Sequence, residues 1–228
     1  MEKLKGSIDA AMNKLKATSG AIQKVIRENT QFIQAEANLT KESLEGIQAF
    51  KEYAKTEKFS LGAAFESIAS AMEAIENARK EKTDALKAKF LTPLNEIAEK
   101  YKGLLTEISE AEKAKKNLDA AQKELEKKKQ AAAQGKGKPG EVEAAESKLK
   151  AAQEKYDKEE KEAKESTMKF NTEKIKKVQE SLTNLIEEQK KFYQNALEKL
   201  NSALDSVNKI DVKDAEKISE PEAAPEDN

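Results

Sequence analysis

The sequence predicts an all-α fold in which three long helices turn back on one another as an antiparallel coiled coil. Three observations carry that expectation. Apolar positions alternate steps of three and four: Ile97, Tyr101, Leu104, Ile108, Ala111, Lys115, Leu118, Gln122 and Leu125, and again Ile175, Val178, Leu182, Leu185, Gln189, Phe192 and Ala196. Such spacing keeps one narrow stripe on a single side of a helix and feeds it into a partner's grooves. Composition agrees, with charged residues at 37%, hydrophobic ones at 37% and aromatics at only 5%, the mixture of coiled coils and long helices. Only 8 Gly and 4 Pro occur in 228 residues, too few for the repeated turns of a sandwich, and period-two strand patterns are missing.

Helix one is expected from a Ser7 cap to about Tyr53, over residues 7–53. Its stripe is Ile8, Leu15, Ile22, Val25, Asn29, Phe32, Glu36, Leu39, Ile47 and Phe50, weakened at Gly20 and Gly46. The segment Lys55-Thr56-Glu57-Lys58-Phe59 interrupts the pattern, and Ser60 is placed to cap a second helix over 61–134. That helix carries Phe65, Ile68, Met72, Ile75, Leu86 and Phe90 before the seam, and stops at Gly135-Lys136-Gly137-Lys138-Pro139-Gly140, a cluster of turn signals. Helix three spans 141–208, with Glu141 and Glu143 in its first turn where negative charge suits the helix dipole. At 1.5 Å per residue the three would be about 70, 110 and 100 Å long. Short loops make sequence neighbours pack antiparallel.

Pro93 falls inside helix two. It removes an amide donor and presses its ring on the carbonyl of Lys89, so a kink is expected there; the other reading is a fresh helix that opens at Pro93. From Asp211 the chain changes character. Residues 211–228 carry seven acids, two lysines, Pro221 and Pro225, and read as an acidic disordered tail. Residues 1–208 form one domain.

Cys, His and Trp are absent. Disulfides, thiolate nucleophiles and zinc–sulfur sites are thereby excluded, and so is the commonest general base. Nearly every carboxylate has a Lys three or four positions away, as a solvated helix surface should. The glycine cluster lacks the strand and the Ser/Thr of a phosphate-binding loop. No catalytic residue, cofactor or metal ligand is assigned. No window approaches 18 apolar residues and no signal core opens the chain, so a cytoplasmic protein, at most peripheral on membranes, is expected.

Large residues from all three helices converge near the middle: Phe32, Phe50, Phe65, Met72, Phe192, Leu200 and Leu204. Three helices cannot cover so much apolar surface, which predicts self-association, most simply as a two-fold dimer. The far end is thin and basic, with nine lysines against five acids between Glu110 and Gly140. Lys116, Lys123 and Lys127 share a helix face; Lys128, Lys129, Lys136 and Lys138 crown the turn, and Lys148 and Lys155 follow one heptad apart on helix three. At about 1 kcal/mol per lysine toward an anionic leaflet, half of the seven crown and face lysines in each protomer would give about 7 kcal/mol, or roughly 10 μM binding. Nucleic acid is disfavoured: no Arg or exposed aromatic interleaves the patch. A cytoskeletal rod is opposed by the glycine-rich turn and the central proline.

Three segments carry a family likeness: Phe90-Leu91-Thr92-Pro93-Leu94-Asn95-Glu96-Ile97, Glu141-Val142-Glu143-Ala144-Ala145-Glu146-Ser147-Lys148-Leu149 and Phe192-Tyr193-Gln194-Asn195-Ala196-Leu197. In order and spacing they resemble a BAR domain, the banana-shaped dimeric module that senses or generates membrane curvature, over roughly residues 5–208. The resemblance implies a crescent-shaped homodimer with a six-helix centre. It also implies anionic phospholipid contacts at Lys116, Lys123, Lys127, Lys128, Lys129, Lys136 and Lys138, with Lys148 and Lys155 beside them, and an arc set in part by Pro93. Residues 1–18 offer a further reading as a membrane-inserting helix, with Leu4, Ile8, Met12 and Leu15 on one face. The alternative function is a protein scaffold, a small-GTPase effector or adaptor built on the same helical dimer.

Overall fold

The structure is a computed structural model and describes residues 2–218. Its elements are α1 (Glu2–Thr56), α2 (Phe59–Leu86), a π-helical turn (Lys87–Leu91), α3 (Thr92–Ala133), α4 (Glu141–Val207) and a short α5 (Asp214–Ile218). No strand occurs among the described residues. The chain divides into two compact units, Met1–Ile26 with Pro93–Gln179 and Arg27–Thr92 with Glu180–Asn228. Each has its own packing.

In the first unit α3 and α4 run antiparallel. Ion pairs set the register: Lys128 lies 3.2 Å from Glu141, Lys129 2.8 Å from Glu146 and Lys148 2.5 Å from Glu124, and further along Lys100 meets Glu173 and Lys177 meets Glu96. Each step forward on α3 is matched by a step back on α4. Ile97, Tyr101, Leu104, Ile108, Ala111, Leu118 and Leu125 are buried as the seam requires. At Lys115 and Gln122 the sequence reading is off by one, because Ala114 and Ala121 take the buried positions. A methyl group lets α4 approach closely, and Lys115 and Gln122 are half-buried beside it. Opposite stand Tyr156, Ala163 and Phe170, spaced by heptads, with the Tyr101 and Phe170 rings edge-on at 4.6 Å.

The turn between α3 and α4 follows from its glycines. Gly135 takes a left-handed φ of 70° after α3; its N–H donates to Ala132, and that of Lys136 to Ala131. These two bonds satisfy carbonyls that the helix end leaves bare.

In the second unit α1 and α2 are antiparallel, joined by Glu57 and Lys58 alone. Phe65 packs on Phe50 at 5.8 Å and on Tyr53 at 4.6 Å. Gly62 makes that closeness feasible: a β-carbon there would stand 2.6 Å from the Glu57 carbonyl oxygen and 3.1 Å from that of Ala54. Gly62→Ala is therefore expected to cost about 1–3 kcal/mol, as overpacking against backbone does, and a lower urea midpoint at unchanged slope would register it.

Two expectations need correction here. Ser60 does not cap α2, which begins at Phe59 after an N-cap Lys58 that makes no side-chain cap bond. Ser60 is itself held by Asp214, 154 residues on, whose carboxylate accepts from the Ser60 amide at 3.0 Å and also engages its hydroxyl. Nor do residues 211–218 begin a disordered tail. Asp211 donates its amide to Ser60 Oγ at 2.9 Å, and Lys217 pairs with Asp214 and lies over the Phe59 ring. Hydrogen bonds from Lys217 and then Ser60 hold the Asp214 carboxyl down at about 2. Residues 219–228 and the side chains of Leu4, Ile8 and Met12 lie outside the described residues.

Candidate functional site

On α3 in the first unit, Lys113, Lys116, Lys123 and Lys127 are exposed and make no ion pair among the described residues. At 100° per residue they fall on the flank opposite the buried seam of Ala111, Leu118 and Leu125. Lys136 and Lys138 stand exposed on the turn, and Lys155 on α4 is exposed without an ion pair. Lys128, Lys129 and Lys148 differ, because each has a carboxylate partner on the facing helix. The Lys148 hydrogen bond keeps Glu124 below the usual carboxylate range, and Lys128, then the Lys138 amide, do the same to Glu141. Charge counting could not separate the two groups of lysines; the register of α3 on α4 does. Lys113, one turn before Lys116, was counted among the nine lysines of this stretch but not set with the others on that face.

Among the described residues no group of three or more acids is placed to hold a metal, and no helix is long and apolar enough to cross a membrane. A groove of about 460 Å³ runs between α3 and α4 past Ile108, Ala111, Ala163, Met168 and Ile175. Near it Tyr156 donates to Glu160 at 3.0 Å, and burial first, then that carboxylate, pushes the phenol up to about 12.

The second unit carries an uncovered apolar surface. On α4 it comprises Leu182, Ile186, Tyr193, Leu197, Leu200 and Leu204, the last two more than half exposed at 54% and 55%. On α1 it comprises Phe32, Leu39 and Tyr53, at heptad spacing around Gly46. Phe32, Leu200 and Leu204 were expected at an interface between copies, and they are open. Phe192 was expected there too, but it is buried at 6%, with the Lys82 ammonium 4.3 Å and the Arg79 guanidinium 5.1 Å from its ring centre. Phe50 and Phe65 stack on each other and Met72 is half-buried. The sequence also set Leu182 in the packed seam of α4; the residue buried beside it is Ser181. Apolar residues line two faces of this helix, and periodicity does not say which one the chain covers.

At Pro93 the α-helical register changes. The Thr92 amide donates to Lys87 across a π turn, and Thr92 Oγ1 reaches the same carbonyl at 3.0 Å.

Long antiparallel helices, with an uncovered apolar surface in the second unit and, in the first, a row of lysines that make no ion pair among the described residues, define a helical module without strands among the described residues. The BAR domain profile matches residues 1–208, and the chain belongs to the BAR domain family. Among solved structures it is similar to the N-terminal I-BAR domain of D. discoideum IBARa, with TM-score 0.58, 16% identity and 93% of this chain and 96% of that one covered. It is also similar to the F-BAR domain of Hof1p, with TM-score 0.54, 12% identity and coverages of 97% and 94%. Both likenesses concern the fold. No curated protein matches the sequence. BAR domains are in general non-enzymatic modules that dimerise, bind membranes peripherally and sense or generate curvature.

Proposed function

We propose that two copies join through the open apolar faces of α1 and α4 into a curved homodimer. The dimer binds anionic phospholipid bilayers through Lys116, Lys123, Lys127, Lys136 and Lys138 and senses or generates curvature in them. The unpaired lysine row on the outer flank of α3 is the observation that carries this reading. A lysine already matched by a carboxylate offers a headgroup little net charge; an unmatched one offers all of it. Exposed charge is screened beyond about 8 Å at physiological ionic strength, so binding weakens steeply with salt.

The test is co-sedimentation with phosphatidylserine vesicles. Charge reversal at Lys116, Lys123 and Lys127 together removes about 3–6 kcal/mol per dimer, or at least ~100-fold in affinity. The same change at Lys128, Lys129 and Lys148 has the smaller effect. Equal effects from the two triples would overturn the assignment. Vesicle binding indifferent to lipid charge, or no binding at all, would favour a scaffold for a small GTPase or an adaptor.

A further inference from the structure

Two glycines of the second unit lie within its long helices, and one of them has no reason inside the chain. Gly62 lets α2 close on carbonyls of α1 and the turn, but a β-carbon at Gly46 would meet no other atom within 4 Å. Gly46 is exposed in the α1 interior, where glycine is the poorest residue after proline because its backbone has most freedom to lose. Its place in the sequence is informative. Phe32, Leu39, Gly46 and Tyr53 follow at heptad spacing, and the other three are large and about half exposed. Gly46 is a gap in an otherwise bulky row. On α4 of the same unit Tyr193, Leu197, Leu200, Leu204 and Val207 alternate steps of four and three, and all five are exposed. That is the spacing of a coiled-coil seam, whose side chains enter holes on a facing helix as knobs. Tyr193 is the largest of them, 65% exposed, with its ring edge-on to its neighbour Phe192 at 5.3 Å. The row on α1 lacks a side chain, and the seam on α4 carries a bulky one with nowhere to go.

We propose that Gly46 is the socket for Tyr193 of a second copy, and that this contact makes the chain select its own kind as partner. The inference rests on the homodimer reading above and adds to it the residues that decide which chains pair. An aromatic ring brings a large contact area with few rotamers to lose, and a glycine lets it approach the α1 backbone. In a two-fold dimer the contact is made twice. A chain with a side chain in the socket, or without the knob, is therefore rejected at two places at once.

The experiment exchanges knob and socket between copies of the full chain. Gly46→Leu fills the socket and should keep its helical content, because a β-carbon there meets nothing in its own protomer. Its dimer affinity should fall at least ~30-fold, from two overpacked contacts. Tyr193→Ala removes the knob and should lower self-association at least ~100-fold. Mixed one to one, the two variants should recover, because one contact then joins the filled socket to the missing knob and the other is native. Sedimentation equilibrium with one variant fluorescently labelled should show a mixed dimer within about tenfold of wild-type affinity, as a volume-conserving exchange predicts. Misfolding of one variant is not cured by adding the other, so recovery in the mixture identifies a contact between copies. If either variant alone dimerises as the wild type does, the socket is not used and the proposal fails. If both are weak and the mixture is no better, Gly46 and Tyr193 do not meet, and it fails as well. A wild-type chain that stays monomeric overturns the homodimer reading itself, and this inference with it.

Discussion

Replacing Leu197 and Leu204 together with arginine is expected to turn the protein into a folded monomer. Both side chains project from α4 in the second unit and lie more than half exposed, at 61% and 55%, in the single chain. Neither belongs to the buried core of the described residues, so helical content should hold. In a two-fold dimer each residue is used twice. Burying a leucine is worth about 1.5–3 kcal/mol, so removing four of them costs about 6–12 kcal/mol, a loss of at least 10⁴-fold in dimer affinity. The arginines add repulsion across the axis. Sedimentation velocity at micromolar concentration should therefore show one species at half the wild-type mass. Vesicle binding should fall as well, because each monomer brings one lysine row where the dimer brings two. A double variant that still sediments with the wild type would place the interface elsewhere, and a monomeric wild type would remove it.

Which parts of this architecture could be read from the chain follows from the range over which each signal acts. The α3 seam was legible because burial there repeats every three or four residues on one helix. The turn between α3 and α4 was legible because left-handed backbone calls for glycine, and Gly135 and Gly140 supply it. At Pro93 the sequence called for a kink, and the structure has a π turn over Lys87–Leu91 just before it.

Signals that act between distant segments were not legible. Asp214 looked like one more acid in a proline-bearing tail; that it holds Ser60 depends on where α4 ends, not on its neighbours. Asn184 donates to the Lys89 carbonyl from 95 residues away, and no pattern joins them. Leu182 and Ser181 are adjacent, yet burial favours the serine, since a small side chain lets helices close and hydrophobicity alone does not measure that. For the lysines, neutralisation by a facing helix is a matter of register. Glu36 stood at an apolar position of the α1 stripe, and that mismatch was the one hint in the sequence of a buried partner.

That partner makes Glu36 the residue whose loss should hurt stability most. Its Oε1 lies 2.5 Å from the Lys82 ammonium, on a lysine side chain only 2% exposed, and 3.7 Å from Arg79. Arg79 is also held by Glu76 at 2.9 Å. Among the described residues Lys82 pairs with Glu36, and its ammonium otherwise faces the rings of Phe192 and, at 5.9 Å, Phe32. Glu36→Leu therefore strands a buried ammonium, and breaking such a pair costs about 3–5 kcal/mol. Lys82→Leu should cost a similar amount, leaving the carboxylate unmatched. The double leucine variant removes both charges and should return to within about 1 kcal/mol of wild type or exceed it, because two desolvated ions are exchanged for apolar packing. Urea unfolding at fixed protein concentration, needed because a dimer's stability depends on it, measures all four corners of this cycle. Strong non-additivity is the expected result. Additive losses would show that Glu36 and Lys82 act on stability independently and that the pair is not what holds α1 to α2 in this unit.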